Sequence, residues 1–177
     1  MGIQIGARPD SGFDDPIGML MDCHRRIEHF LNLLCVVVDR ARGRALSAEE
    51  TEAVQAALQY FRVGGKRHNA DEEESLFPRL RGENNGGQFN EIHGLEEDHR
   101  SADALHASVE ALYNRWISAG SLQSDEDRRL SANTLQLKSL YAGHIQIEEQ
   151  IVFPRAADAL DSAAIEAMGR EFRERRQ

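Results

Sequence analysis

Two stretches of the chain carry the same chemically active residues at the same spacing. Residues 68–79 read HNADEEESLFPR and residues 144–155 read HIQIEEQIVFPR, so that His, Glu, Glu, Phe, Pro and Arg recur at the same six offsets. On a helix, residues four apart lie on one face, and imidazole and carboxylate groups together bind iron, manganese or zinc. The spacing therefore predicts a metal-binding pair in each copy. The two pairs are His68 with Glu72 and His144 with Glu148.

Two further histidines stand at matching intervals before these pairs. His24 precedes His68 by 44 residues, and His99 precedes His144 by 45. Each of the four lies where apolar residues stepping by three and four demand an inward side chain. A single histidine on such a face is more often a core residue, but four buried imidazoles need four partners. One metal centre would supply all of them.

An acidic residue follows each of the four histidines after four positions, but the four acids are not equivalent. On the second and fourth helices, the next inward-facing position after the histidine is four residues on, which places Glu72 and Glu148 on the same buried stripe as the histidines. On the first and third helices it is three residues on, which leaves Glu28 and Asp103 at the edge of the stripe. The pattern predicts Glu72 and Glu148 as ligands and the other two as solvated acids or acids beside the ligands.

The remaining polar residues near these motifs receive structural interpretations. Glu73 and Glu149, one position further on, are assigned to a charged outer face. His106 lies two turns after a predicted ligand, so a role in the core or beside the ligands is favoured over metal binding. His29 and His93 lie off the stripes and are predicted to be surface residues.

The predicted donor set contains nitrogen and oxygen but no thiolate. A single tetrahedral zinc would leave two of the six ligands unused. Two ions would use all six ligands. Each ion would bind two imidazoles, one oxygen from each of the two bridging carboxylates, and a shared oxo or hydroxo group. Together these ligands fill about five of the six coordination positions on each ion. The open position would take a small diatomic molecule or peroxide. The donor set suits two ions of iron, manganese or zinc. The metal ligands are predicted to be His24, His68, Glu72, His99, His144 and Glu148.

Amphipathic helices must position these residues, because apolar residues step by three and four and no segment keeps a period of two. The first predicted helix runs from Asp15 and Pro16 to Gly43, and the second from a capping box at 47–50 to near Pro78. After a predicted loop at 82–87, the third runs from about Ile92 to Gly120 and the fourth from 124–127 to Pro154. A short fifth helix is predicted to begin at about Asp161. Four long helices with short connections predict an all-α, up-down-up-down four-helix bundle with a short fifth helix. We expect a flexible N-terminal arm over 1–14, the bundle over 15–156, and a C-terminal helix over 157–177 packed on it.

The bulk composition narrows the classes of function. The chain has 177 residues, is 29 % charged and carries a formal net charge of −9, which argues against nucleic acid and anionic membranes as partners. Cys23 and Cys35, if on one helix, are about 18 Å apart along its axis, too far for a disulfide. No signal peptide or membrane span is visible. We expect a cytoplasmic monomer or homodimer.

The motifs DCHRRIE, HNADEEESLFP, EEDHRSAD and HIQIEEQIVFP resemble those of the hemerythrin-like (HHE cation-binding) family over about residues 15–156. This resemblance implies a non-haem di-iron four-helix bundle. The oxygen-carrying members have a fifth histidine where this chain has Asp103. The four-histidine, two-glutamate set is more similar to the branch of the repair-of-iron-centres proteins, which carry a cysteine-bearing N-terminal segment that residues 1–14 do not match. These departures speak against reversible oxygen carriage and direct iron–sulfur repair.

Three functions follow from this interpretation. The leading one is a di-iron protein that binds or reduces O2, NO or peroxide in oxidative or nitrosative stress, as a peroxidase-like or NO- and O2-reactive oxidoreductase with an unidentified redox partner. The second is an iron-storage or sensor protein without turnover. The third is a bundle whose metals only hold the helices together.

The two copies disagree three residues before the histidine. The second copy has Tyr141 there, whereas the first has Gly65, preceded by Gly64. Each glycine inside a helix costs about 1 kcal/mol relative to alanine. Either the pair marks a kink or close helix contact, or it leaves a gap through which a small ligand reaches the metals, opposite Tyr141.

Overall fold

The chain folds into helices joined by short connections in the computed structural model, which describes residues 10–82 and 90–177. Within these ranges there is no strand, as the periodicity predicted. Most of the predicted N-terminal arm and of the loop at 82–87 lies outside the described residues. The five helices are α1 (Pro16–Ala41), α2 (residues 48–82), α3 (Glu91–Ala119), α4 (residues 124–159) and α5 (Ser162–Glu174).

The first four helices form an antiparallel bundle, as predicted. Helix α2 runs antiparallel to α3, because ion pairs join Arg62, near the middle of α2, to Glu110 and Arg81, near its end, to Glu96. Helix α3 runs against α4 in the same way, with Arg115 paired to Glu126 and His99 beside His144. Helix α1 packs between α2 and α4. The fifth helix covers one end of the bundle through Met168 and Phe172, both fully buried.

The helix ends follow the predicted capping signals. The Asp15 carboxylate accepts a hydrogen bond from the Gly18 amide at 2.9 Å, which starts α1. Ser47 and Glu50 form a reciprocal capping box at the start of α2. Gly120 ends α3 with φ of 75°, a left-handed conformation that glycine adopts at little cost. These caps set the start of α1 and α2 and the end of α3.

Two prolines do not end their helices, so that part of the prediction is wrong. Helix α2 continues past Pro78 and α4 past Pro154, and the boundary expected after residue 156 therefore falls within α4. In each helix a π turn, Glu72–Leu76 or Glu148–Val152, comes just before the proline. Proline normally crowds the carbonyl four residues earlier, and the wider π turn displaces that carbonyl.

The π turn of α4 also shifts the inward register by one residue, whereas on α2 the predicted Ser75 stays fully buried beside Leu76. Each π turn holds one more residue per turn than an α-helix. Val152 is therefore fully buried on α4, whereas Ile151, predicted to point inward, is only partly buried. Leu76 takes the corresponding place on α2 and is also fully buried.

Two apolar clusters fill the bundle, one on each side of a polar layer. The cluster under α5 includes Phe77, Phe153 and Phe172. The cluster at the other end includes Tyr113 and Trp116. The predicted metal ligands lie between the two, so water is excluded from above and below. No helix among the described residues has the length and apolarity needed to cross a membrane.

Candidate metal centre

All six predicted ligands meet in the polar layer. Each bundle helix contributes one histidine, and α2 and α4 each add a glutamate. None of the six residues is more than 3 % exposed. They are His24, His68, Glu72, His99, His144 and Glu148.

Each glutamate places its two oxygens against two different histidines. Glu148 Oε2 lies 3.0 Å from His24 Nε2, and its Oε1 lies 3.2 Å from His144 Nε2. Glu72 Oε1 lies 3.4 Å from His68 Nε2, and its Oε2 lies 3.3 Å from His99 Nε2. Both carboxylates thus span from one pair of histidines to the other.

The donors form two groups of four that share both glutamates. Position A is formed by His24, His68, Glu72 and Glu148, and position B by Glu72, His99, His144 and Glu148. Within each group the donor atoms lie within 4.8 Å of one another. Two such groups with common carboxylates match the donor arrangement of a two-metal site.

Apart from His99 Nε2 and His144 Nε2, which lie 3.2 Å apart, most of the donor atoms are close together without forming hydrogen bonds with one another. The Nε2 atoms of His24 and His68 and all four oxygens of Glu72 and Glu148 are buried and make no hydrogen bond, despite separations of 3.0–3.4 Å. Buried polar atoms are rarely left in this state. The donor atoms therefore fit divalent cations, which would satisfy them together.

Electrostatics within the layer point the same way. Burial and the adjacent Glu148 carboxylate raise the pKa of Glu72 well above its usual value. Burial and the adjacent His24 imidazole lower the pKa of His68 well below its usual value. Both shifts arise because a charge is costly here without compensation. A cation between the groups would favour the carboxylate and neutral imidazole forms that bind metal.

Carboxylates outside the donor set hold three of the four imidazoles. Glu149 Oε1 lies 2.8 Å from His24 Nδ1, and Glu73 Oε1 lies 2.7 Å from His99 Nδ1. Asp98 Oδ2 lies 3.4 Å from His144 Nδ1. In each pair the Nδ1 hydrogen is donated to the carboxylate, which leaves the Nε2 lone pair free to face a metal.

Glu73 and Glu149 do lie toward the outside, with side chains 40 % and 38 % exposed, but their interpretation as a charged outer face missed these contacts with histidines. Each lies at the edge of its own helix, where it contacts the histidine of a neighbouring helix. The available signal was their repetition, because the second glutamate recurs at the same offset in both copies of the motif. No comparable signal marked Asp98.

The residues that were not predicted as ligands lie away from the donors. Glu28 and Asp103 are exposed, as are His29 and His93. His106 is partly buried, and its Nε2 lies 3.1 Å from the Tyr141 hydroxyl. Burial lowers the pKa of His106 to about 4, so at neutral pH the imidazole is neutral, and its tautomer sets which of the two groups donates the hydrogen.

A cavity of about 300 Å³ opens beside this layer. Its lining includes Gly65, Asn69, His106 and Tyr141. The Tyr141 ring lies 6.3 Å from the His144 ring, and Asn69 follows His68 in the chain. The cavity is therefore lined by neighbours of His68 and His144 and by none of the six donors themselves.

The paired glycines of α2 have separate roles. Gly65 lines the cavity, and a Cβ there would meet only the Phe61 ring at 3.6 Å. A Cβ on Gly64 would lie 2.8 Å from the Tyr60 ring. Gly64 thus permits close packing, and only Gly65 faces the cavity opposite Tyr141.

The C-terminal helix fixes the segment that carries Glu72. Asp71, fully buried, accepts hydrogen bonds from Arg175 at 2.8 Å and from Arg176 at 2.5 Å. Arg79 pairs with Glu171 of the same helix at 2.6 Å. Because a buried charge is strongly destabilising without its partners, these pairs hold α5 in place against α2.

Comparison with known proteins places this geometry in a family. The family model described as the hemerythrin HHE cation binding domain matches residues 15–156. A protein of Haemophilus influenzae, described as an uncharacterized protein, is 26 % identical over 174 residues, which cover 93 % of this chain and 92 % of that protein. The match contains all six clustered donors.

Proposed function

The chain belongs to the hemerythrin HHE cation-binding domain family, and we propose that it is a non-haem di-iron protein that binds or reduces O2, NO or peroxide. The observation that carries this proposal is the pair of four-donor groups sharing Glu72 and Glu148. Imidazole and carboxylate without thiolate suit iron. Two iron ions held there would supply redox chemistry and an open coordination position.

The chain's own residues would control what reaches that position. The two apolar clusters exclude bulk water from the donor layer, which strengthens electrostatic interactions inside it. The cavity offers a route for a molecule of a few atoms past Gly65 and Tyr141. The neutral His106 holds the Tyr141 hydroxyl by a hydrogen bond, which fixes the polar wall of that route.

The wider role follows from the same chemistry. A protein that consumes small oxidants would act in oxidative or nitrosative stress and would need a separate electron donor as redox partner. Both cysteines are free, which accords with a reducing compartment such as the cytoplasm. As an enzyme the protein would be an oxidoreductase.

The direct test is to purify the protein without added metal, count its iron, and record visible spectra before and after peroxide, O2 and NO. We expect about two irons per chain and charge-transfer absorption that peroxide or NO alters. Iron that reacts once and is not restored by a chemical reductant would favour storage or sensing over turnover. Stoichiometric zinc, or no metal, would contradict the proposal.

Gly65→Leu should slow the entry of small ligands without removing metal. A leucine side chain projects into the cavity, whereas the Cβ of Gly65→Ala makes only ordinary contact with Phe61. Stopped-flow rates of azide and NO binding should fall in Gly65→Leu and stay near wild type in Gly65→Ala, with iron content unchanged in both. Equal rates in all three proteins would mean that ligands enter elsewhere.

A further inference from the structure

The four imidazoles are not held alike. Three of them donate the hydrogen on Nδ1 to a carboxylate, whereas the Nδ1 of His68 is buried and has no hydrogen-bond partner. Both imidazoles of position B are supported in this way, but in position A only His24 is. The asymmetry lies outside the donor set, which is itself symmetric.

The internal repeat identifies the residue responsible. Helices α1 and α2 correspond to α3 and α4, so His24 corresponds to His99 and His68 to His144. Asp98, immediately before His99, reaches the histidine of the following helix. The residue immediately before His24 is Cys23. A thiol is a weak hydrogen-bond acceptor, and Cys23 leaves the corresponding nitrogen of His68 without a partner.

We propose that the two metal positions are unequal, with position A binding its ion more weakly than position B, and that residue 23 determines the difference. This rests on the proposed two-metal function. A carboxylate on the outer nitrogen orients a ligating imidazole and makes it more basic, and removing such a partner typically costs about 10- to 100-fold in metal affinity. One ion would therefore be held firmly, and the other would exchange more readily.

Residue 23 can accept a carboxylate. Cys23 is 8 % exposed, and Arg26 Nη1 lies 3.8 Å from its Sγ. An aspartate there would be near a cation and would not be an isolated buried charge. Cys23→Asp would give the first helical hairpin the arrangement that Asp98 gives the second.

The test is an anaerobic calorimetric titration of the metal-free protein with Fe(II). We expect two binding steps in the wild type, separated by about 10- to 100-fold. Cys23→Asp should tighten the weaker step by a similar factor. Asp98→Ala should weaken the tighter step and bring the two together. Glu97→Gln, an exposed neighbour of Asp98, is the matched control and should leave both steps unchanged.

The variants separate this inference from simple repulsion between two ions. Repulsion alone would also separate the steps, but neither substitution would then alter their ratio, and that result would overturn the proposal. So would equal steps in the wild type. If Cys23→Asp does not fold, Asp98→Ala decides alone. Binding of fewer than two Fe(II) ions by the wild type would instead contradict the proposed function.

Discussion

Glu72→Gln should reduce the bound metal from about two ions per chain to one or fewer, because a single side chain serves both positions. Its Oε1 faces His68 in position A and its Oε2 faces His99 in position B. Glutamine keeps the size of the side chain but has no charge and only one oxygen. Metal analysis after purification, together with the visible spectrum, measures the loss. Glu148→Gln should behave in the same way.

The controls come from the chain's own pattern. Glu28 also stands four residues after a histidine, as does Asp103, but both are exposed. Glu28→Gln and Asp103→Asn should therefore retain the wild-type metal content and spectrum. If either control lost an ion while Glu72→Gln kept two, the assignment of the bridging residues would be wrong.

Helical periodicity was enough to predict which residues cluster in the polar layer. An inward stripe that steps by three and four fixes the direction of each side chain about its own helix axis. That direction alone distinguishes the inward Glu72 and Glu148 from Glu28 and Asp103. The bundle followed from the same stripes, since four amphipathic helices have few other ways to bury them.

Contacts between helices could not be predicted in this way. Glu73, Glu149 and Asp98 lie at the edges of their stripes, and the sequence does not say how closely a neighbouring histidine approaches. The π turns were missed for a related reason. A π turn has no distinctive residue pattern in the sequence, so regular α-helical spacing predicted that Ile151 points inward. The structure instead buries Val152.

The glycine pair shows the same limit at a single site. The sequence of two adjacent glycines on a helix reads the same whether they face a cavity or a neighbouring aromatic ring. The structure distinguishes the two glycines: Gly65 lines the cavity, and Gly64 packs against the Tyr60 ring. The sequence located the place where the copies differ but not the side of the helix that matters.

Removing the metal should destabilise the protein strongly. A ligand that binds only the folded state, at about 1,000 times its dissociation constant, stabilises it by about 4 kcal/mol. Two ions would contribute about 8 kcal/mol, or about 15–30 °C in melting temperature for a domain of this size. Thermal unfolding followed by circular dichroism, with and without a chelator, measures the difference.

The same measurement on Glu72→Gln should reverse the order of stability. Without metal, the wild type buries two adjacent carboxylates, and burial together with Glu148 raises the pKa of Glu72. Glutamine is neutral without having to bind a proton and so avoids the cost of burying an ionisable group there, and metal-free Glu72→Gln should be at least as stable as the metal-free wild type. With excess metal the wild type should be far more stable. A chelator that left the wild-type melting temperature unchanged, with Glu72→Gln destabilised throughout, would instead mean that these buried groups hold the helices together by hydrogen bonds without a metal.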